Sequence, residues 1–192
     1  MIHQGTKTID TKRLVLRKFS LADATAMYSN WAFDPEVTKY LVWPPHKSVA
    51  DSEEVLSEWI SQYAAPDFYL WAITLREEGG EPIGSISVVK KNDDLKMLTL
   101  GYCIGRKWWN QGIMSESLAG VIKFFFEVVG VNRIEARHDP MNPNSGKVME
   151  HCGMKFEGIL READWNNQGI CDAAVYAILA KEYASMLGSL SV

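Results

Sequence analysis

Cysteine is scarce in this 192-residue chain, and the three present, Cys103, Cys152 and Cys171, are widely spaced and odd in number. That excludes a disulfide framework and the paired CxxC knuckles of a structural zinc site; free thiols in a reducing compartment and no bound metal are expected. Long apolar runs are missing as well, since no window approaches the roughly 18 consecutive apolar residues a membrane span requires. Met1 to Ile9 are polar and lack the apolar stretch of a signal peptide, so a cytoplasmic protein is expected. Neither charge sign dominates. A net charge of -4 and a pI near 5.6 disfavour strong binding to a phosphate backbone. What the chain does have is 47% hydrophobic residues, enough for a sizeable core, without internal repeats or low-complexity linkers. One domain spanning 1–192, with its core at about 11–182, is the expectation.

Periodicity predicts strands and helices in irregular alternation. Arg13-Leu-Val-Leu-Arg17 alternates as a strand does, and Ser20 stands as a cap before a helix over Leu21 to Asn30. A helix from Asp51 to Tyr63 places Val55, Leu56, Trp59 and Ile60 on one face. Tyr69–Leu75 and Pro82–Val89 read as strands joined by Glu78-Gly79-Gly80-Glu81, and Met97–Ile104 extends them into an antiparallel meander. Gly101 inside that strand marks a bulge or a close approach of another backbone. The pattern then switches to a long helix, Ile113 to Val129, with Val128 among its core-facing residues. The strand Asn132–His138 follows, then a short helix capped by Asn144 or Ser145 and running to His151. The strands Met154–Trp165 and Cys171–Ala180 close the chain through a turn at Asn166-Asn167-Gln168-Gly169. The whole is an α+β fold: one mixed, mostly antiparallel sheet flanked by helices.

The junction Arg106 to Glu116 carries the chemistry. It leads a strand into a long helix through Gly112, and the first helical turn offers free N–H groups at the positive end of the macrodipole, where a phosphate can bind. The Lys-Ser/Thr of a P-loop and the three glycines of a dinucleotide fingerprint are both missing.

Leu100-Gly-Tyr-Cys-Ile-Gly, Trp109-Asn-Gln-Gly-Ile-Met-Ser-Glu116, the run Asn132 to Ser145 and Gly153-Met-Lys-Phe-Glu-Gly158 together resemble the GNAT acetyltransferases. The branch they resemble most is that of the ribosomal-protein N-terminal acetyltransferases. The resemblance covers about Thr11 to Ala180 in element order and is motif-specific from Leu100 to Asp164. It implies the GNAT fold, acetyl-CoA as acyl donor and direct transfer to an amine. The implied donor contacts are Trp109, Asn110, Gln111, Gly112, Ile113, Met114 and Ser115 around the pyrophosphate. Tyr102, Cys103 and Ile104 lie along the pantetheine arm, joined by Asn142 and Ser145. Two departures stand out. Trp109, Asn110 and Met114 replace the usual Arg/Gln, Gly and Gly/Ala of the loop, Asn110 being tolerant of a left-handed backbone. Met149 occupies the position where many members carry a tyrosine that protonates the departing thiolate, and methionine has no such proton.

The resemblance therefore assigns the acid role to Ser145, which also suits a helix cap, and the base role to Asp164. His138 and Glu135 are rival bases, and strand alternation points them to opposite faces. Nothing nearby in the sequence lowers the pKa of Cys103, which reads as a buried thiol. The aromatic run containing Trp31, Tyr40 and Trp43 is suited to embrace a cationic amine, or else belongs to the core. A protein N-terminal amine, favoured by the resemblance, a polyamine and an aminoglycoside remain open as acceptors, and so does a larger acyl donor. A non-catalytic acyl-CoA sensor is the reading from another class. Cys171–Ala180, read as an edge strand, is expected to support a homodimer.

Overall fold

Alternation along Leu14–Arg17 buries Leu14 and Leu16 completely, making strand β2, with the two-residue β1 (Ile9–Asp10) added at its outer edge. The structure, a computed structural model, describes residues 1–189. β3 (Leu70–Leu75), β4 (Pro82–Asn92) and β5 (Met97–Ile104) continue the antiparallel meander that the alternation and the Gly79-Gly80 turn predict. β6 (Arg133–His138) then joins β5 in parallel, and β7 (Lys155–Asn166) and β8 (Gly169–Leu179) form the last hairpin. The eight strands make one sheet in the order β1-β2-β3-β4-β5-β6-β8-β7.

Helices cover both faces because β3 is apolar on both. Trp71 and Ile73 face α4 (Ile113–Phe124), whereas Leu70 and Ala72 face α1 (Ala24–Met27) and α3 (Val49–Gln62). Trp71 is fully buried, with Phe124 and Phe125 rings 5.8 and 5.9 Å away and nearly perpendicular. Such edge-to-face pairs add about 0.5–1.5 kcal/mol each beyond the area they bury. On the other face Trp31, Phe19, Met27 and Leu56 form a second cluster. Arg17 closes the end of β2 by donating from both terminal nitrogens to Asp23, each at 2.8 Å, and Asp23 also accepts from the Ser20 backbone amide.

Several expectations are corrected. The first helix does not run regularly to Asn30: a 3-10 turn at Leu21–Asp23 leads into α1, which widens into a π turn over Tyr28–Ala32. The long helix likewise ends in a π turn, Phe125–Val129, and the changed angular step turns Val128 out, leaving it 49% exposed. The short helix, α5 (Pro143–His151), is capped at Asn142, so neither Asn144 nor Ser145 is the cap. The bulge near Gly101 lies in β4 at Val89, and the missing Gly101 side chain makes room for the Val89 methyl. β8 is an interior strand between β6 and β7, so the open edge on that side is β7. Elements that were not expected include β1, α2 (Pro35–Thr38) and α6 (Ala180–Ser189).

Candidate active site

β5 is bonded to β6 from Met97 to Leu100 and then continues to Ile104 with β4 alone, while β6 continues with β8. The two parallel strands thus splay apart beyond Leu100. A cavity of about 480 Å³ opens there, walled by β5, the start of α4, α5 and the segment after α2.

Two left-handed residues shape the loop at the head of α4: Asn110 (φ 59°) and Gly112 (φ 70°). Asparagine is one of the few side chains that tolerates this region, so its replacement of glycine leaves the loop geometry available. Met114 is 6% exposed, packs in the main core cluster and also borders the cavity. The loop is tied down from behind. Glu116 accepts from the Thr11 hydroxyl, the Arg13 backbone amide and Arg13 Nε, while Arg13 Nη1 donates to the Gln111 carbonyl. Burial would raise the Glu116 carboxyl, but these bonds outweigh it and hold it below the usual range. Trp109 donates its indole N–H to the Ile104 carbonyl at 2.9 Å, closing the turn between β5 and α4.

The opposite wall is α5, where Asn142 and Ser145 line the cavity. The Tyr102 hydroxyl donates to the Ser145 carbonyl at 3.0 Å and lies 3.1 Å from Ser145 Oγ. Because a phenol has one proton, this geometry leaves its oxygen free to accept from Ser145. Burial pushes the Tyr102 phenol well above its ordinary range despite the bond from Ser145, so it stays neutral. Burial also raises the Cys103 thiol, 3.4 Å from the Ser85 hydroxyl, which keeps it a poor nucleophile.

Tyr102, Cys103, Ile104, Trp109, Asn110, Gly112, Ile113, Met114, Ser115, Asn142, Ser145 and Tyr40 all border the cavity. Others stand elsewhere. Gln111 turns its amide back to the Lys107 carbonyl and offers its own carbonyl to Arg13. Trp31 is fully buried in the second core cluster beside Phe19, because the π turn rotates it inward; it is a packing residue. Trp43 rests on His46. Asp164 is exposed on the β7–β8 hairpin outside the cavity lining, beside Cys171. Of the rival bases, Glu135 is held by Arg133 at 2.6 Å and Arg137 at 3.5 Å. His138 Nδ1 lies 2.8 Å from the Asp139 carbonyl and the ring packs on Tyr176.

Sequence reasoning missed Lys147, Val148 and His151, which α5 presents to the cavity with Asn144, and Val37 and Leu41 across from them. The i, i+3, i+4, i+7 spacing of Asn144, Lys147, Val148 and His151 was the available signal. Among the described residues lining the cavity, Lys147 and His151 bring basic groups and none is a carboxylate. No group of metal-ligating side chains was found among the described residues.

A helix N-terminus and basic side chains opposite a splayed strand pair define a site for an anionic carrier, with hydroxyl and amide groups at its centre. The Acetyltransferase (GNAT) domain profile matches residues 13–155. Over 178 residues, 93% of this chain and 99% of the relative, the sequence is 30% identical to "Uncharacterized N-acetyltransferase p20" of Bacillus licheniformis. It is 35% identical over 63 residues, 33% of the chain and 32% of the relative, to the [Ribosomal protein uS5]-alanine N-acetyltransferase of Escherichia coli. Among solved structures, a GNAT-family acetyltransferase from Bacillus anthracis superposes with a TM-score of 0.79 at 26% identity, covering 91% of this chain and 99% of that one. RimL, a ribosomal L7/L12 alpha-N-protein acetyltransferase in complex with coenzyme A, shares the fold with a TM-score of 0.79 at 20% identity, covering 90% and 98%. The chain belongs to the GNAT acetyltransferases. It is an N-acetyltransferase of that family.

Proposed function

We propose that this chain moves an acetyl group from acetyl-CoA to a primary amine by direct transfer, and that the acceptor is a protein N-terminal α-amine. The observation that carries the reading is the splay of β5 from β6. It sets unpaired strand backbone, the amides of the α4 loop and the Tyr102–Ser145 pair around one cavity. The choice of a protein N-terminus rests on the partial likeness to ribosomal-protein acetyltransferases.

Bound acetyl-CoA supplies an activated thioester. The chain's residues do the rest. The loop amides from Asn110 to Ser115, with Lys147 and His151 opposite, suit the phosphates, and Asn142 suits the amides of the pantetheine arm. Backbone N–H groups of the splayed β5 segment are placed to polarise the acyl carbonyl. Ser145 passes its proton to the departing sulfur and takes one back from the amine nitrogen as the amide forms, while Tyr102, whose own proton bonds the Ser145 carbonyl, holds Ser145 in place. Met149 is fully buried in the core and has no access to the cavity. Asp164 is the proposed base. Since it stands outside the cavity lining, it receives the ammonium proton through water before the amine enters.

The cytoplasm is the proposed compartment; no described helix is long and apolar enough to cross a membrane. Self-association through β7, whose Phe156, Ile159 and Leu160 are exposed, is part of the same reading. Sedimentation velocity tests it, and a monomer at every concentration refutes it.

Calorimetric titration with acetyl-CoA and then succinyl-CoA tests the donor. Thiol release with an alanine- or serine-initiated peptide, spermidine and kanamycin then ranks the acceptors. Faster release with the peptides supports the reading. Faster release with spermidine or kanamycin moves the acceptor to small amines, and donor binding without release from any of them makes the chain a sensor.

A further inference from the structure

After α2 ends at Thr38 the chain runs to Trp43 without regular structure, and Val37, Tyr40 and Leu41 line the cavity together with residues of α5. The carbonyls of this segment meet one residue from the far end of the chain. Asn167, in the two-residue turn between β7 and β8, donates its side-chain amide to the Thr38 and Trp43 carbonyls, both at 2.8 Å, and its backbone N–H to the Leu41 carbonyl at 3.1 Å. Both side-chain N–H groups are therefore used, and three carbonyls of a six-residue segment are held by a single residue.

The turn that carries Asn167 is itself anchored. Asn166 Oδ1 accepts from the Gln168 amide at 2.7 Å, and Asn166 Nδ2 donates to Asp139 Oδ2 at 2.8 Å. Asp139 Oδ1 in turn accepts from the Met141 amide at 2.8 Å, one residue before Asn142. A hydrogen-bonded chain thus runs from the wall at Leu41, through two consecutive asparagines, to the start of α5 and its Ser145.

We propose that Asn167 is a positioning residue for the amine acceptor, a latch that holds the Thr38–Trp43 wall at the width that selects the incoming amine. The inference rests on the acetyl-transfer reading for its consequence in kinetics, but the latch itself is a property of the fold. Asn167 lines no part of the cavity, so its effect passes through Tyr40 and Leu41 and leaves the α4 loop untouched.

Two variants test it. Asn167→Asp is isosteric but presents a carboxylate to two carbonyls, and Asn167→Ala removes the side chain while retaining the backbone bond to Leu41. Hydrogen exchange by mass spectrometry should show residues 37–46 exchanging about tenfold faster in both variants, with residues 109–118 unchanged. With acetyl-CoA and an alanine-initiated hexapeptide, the acceptor KM should rise about tenfold while kcat changes less than about threefold and the acetyl-CoA Kd holds. Unchanged exchange at 37–46 in both variants overturns the latch. So does a loss of acetyl-CoA affinity as large as the rise in KM, which would mark a general loosening. A wild-type chain that releases no thiol with any acceptor refutes the acetyl-transfer reading instead, and the exchange result still decides the latch.

Discussion

The Tyr102 hydroxyl of β5 and Ser145 of α5 meet across the splayed strands, 3.0 Å from oxygen to carbonyl and 3.1 Å from oxygen to Oγ. Two elements 43 residues apart thus share one hydroxyl pair inside the cavity. Replacing Ser145 with alanine should lower kcat about 10²-fold, and Tyr102→Phe by about tenfold, with much smaller changes in acetyl-CoA affinity. Since the pair acts as a unit, the double variant should lose little more than Ser145→Ala. Steady-state kinetics with calorimetry checks this; additive losses would separate the two hydroxyls.

Gly112→Val should weaken acetyl-CoA binding at least about tenfold. A β-branched residue at φ 70° costs about 1–3 kcal/mol, and relaxing that strain moves the amides that receive phosphate. Asn110→Gly should bind within about twofold of the parent, since glycine adopts φ 59° without cost. The contrast is read by calorimetry, and wild-type affinity in the valine variant would remove the loop from the donor site.

Acid stability should depend on Asp23. Burial would raise its carboxyl, but the bonds from Arg17 and Ser20 outweigh burial and hold it below the usual carboxylate range. A depressed folded pKa means that the pair's contribution is complete above the unfolded value of about 4. It is lost as pH falls through the lower folded value. Asp23→Asn should cost about 2 kcal/mol near neutral pH and flatten the acid limb of the stability curve, as urea titrations from pH 7 down to pH 2 would report. An acid limb of unchanged slope would refute the assignment.

Gly105→Ala should destabilise by about 2–3 kcal/mol and lower Tm by about 5–10 °C. A Cβ there would lie 2.2 Å from the Asn30 carbonyl oxygen and 2.7 Å from the Trp108 ring, one being backbone and the other a buried indole. Differential scanning calorimetry measures the shift. An unchanged Tm would mean that the π turn carrying Asn30 yields freely.

Much was legible in the residues. Alternation located the meander from Leu14 to Ile104, the Gly79-Gly80 pair its first long turn, and Gly112 before an apolar helix the anion loop. Tyr102, Ile104, Asn142 and Ser145, which the resemblance brought together, line one cavity. Trp31 and Trp43 were not separable from Tyr40 in the same way. All three are aromatic residues in one irregular stretch, and a π turn buries the first while a ring contact with His46 engages the second.

By itself the sequence determined most of the strands and the long helix after Gly112, with the apolar faces of the meander, and the free thiols. These depend on residues near one another along the chain. Only the tertiary structure decided that β8 is interior and β7 is the edge, that Asp164 stands outside the cavity lining, and that Asn167 holds carbonyls 124 and 129 residues away. Periodicity states which side of a strand is apolar. It does not name the partner that covers it, because pairing is settled by the packing of the whole sheet.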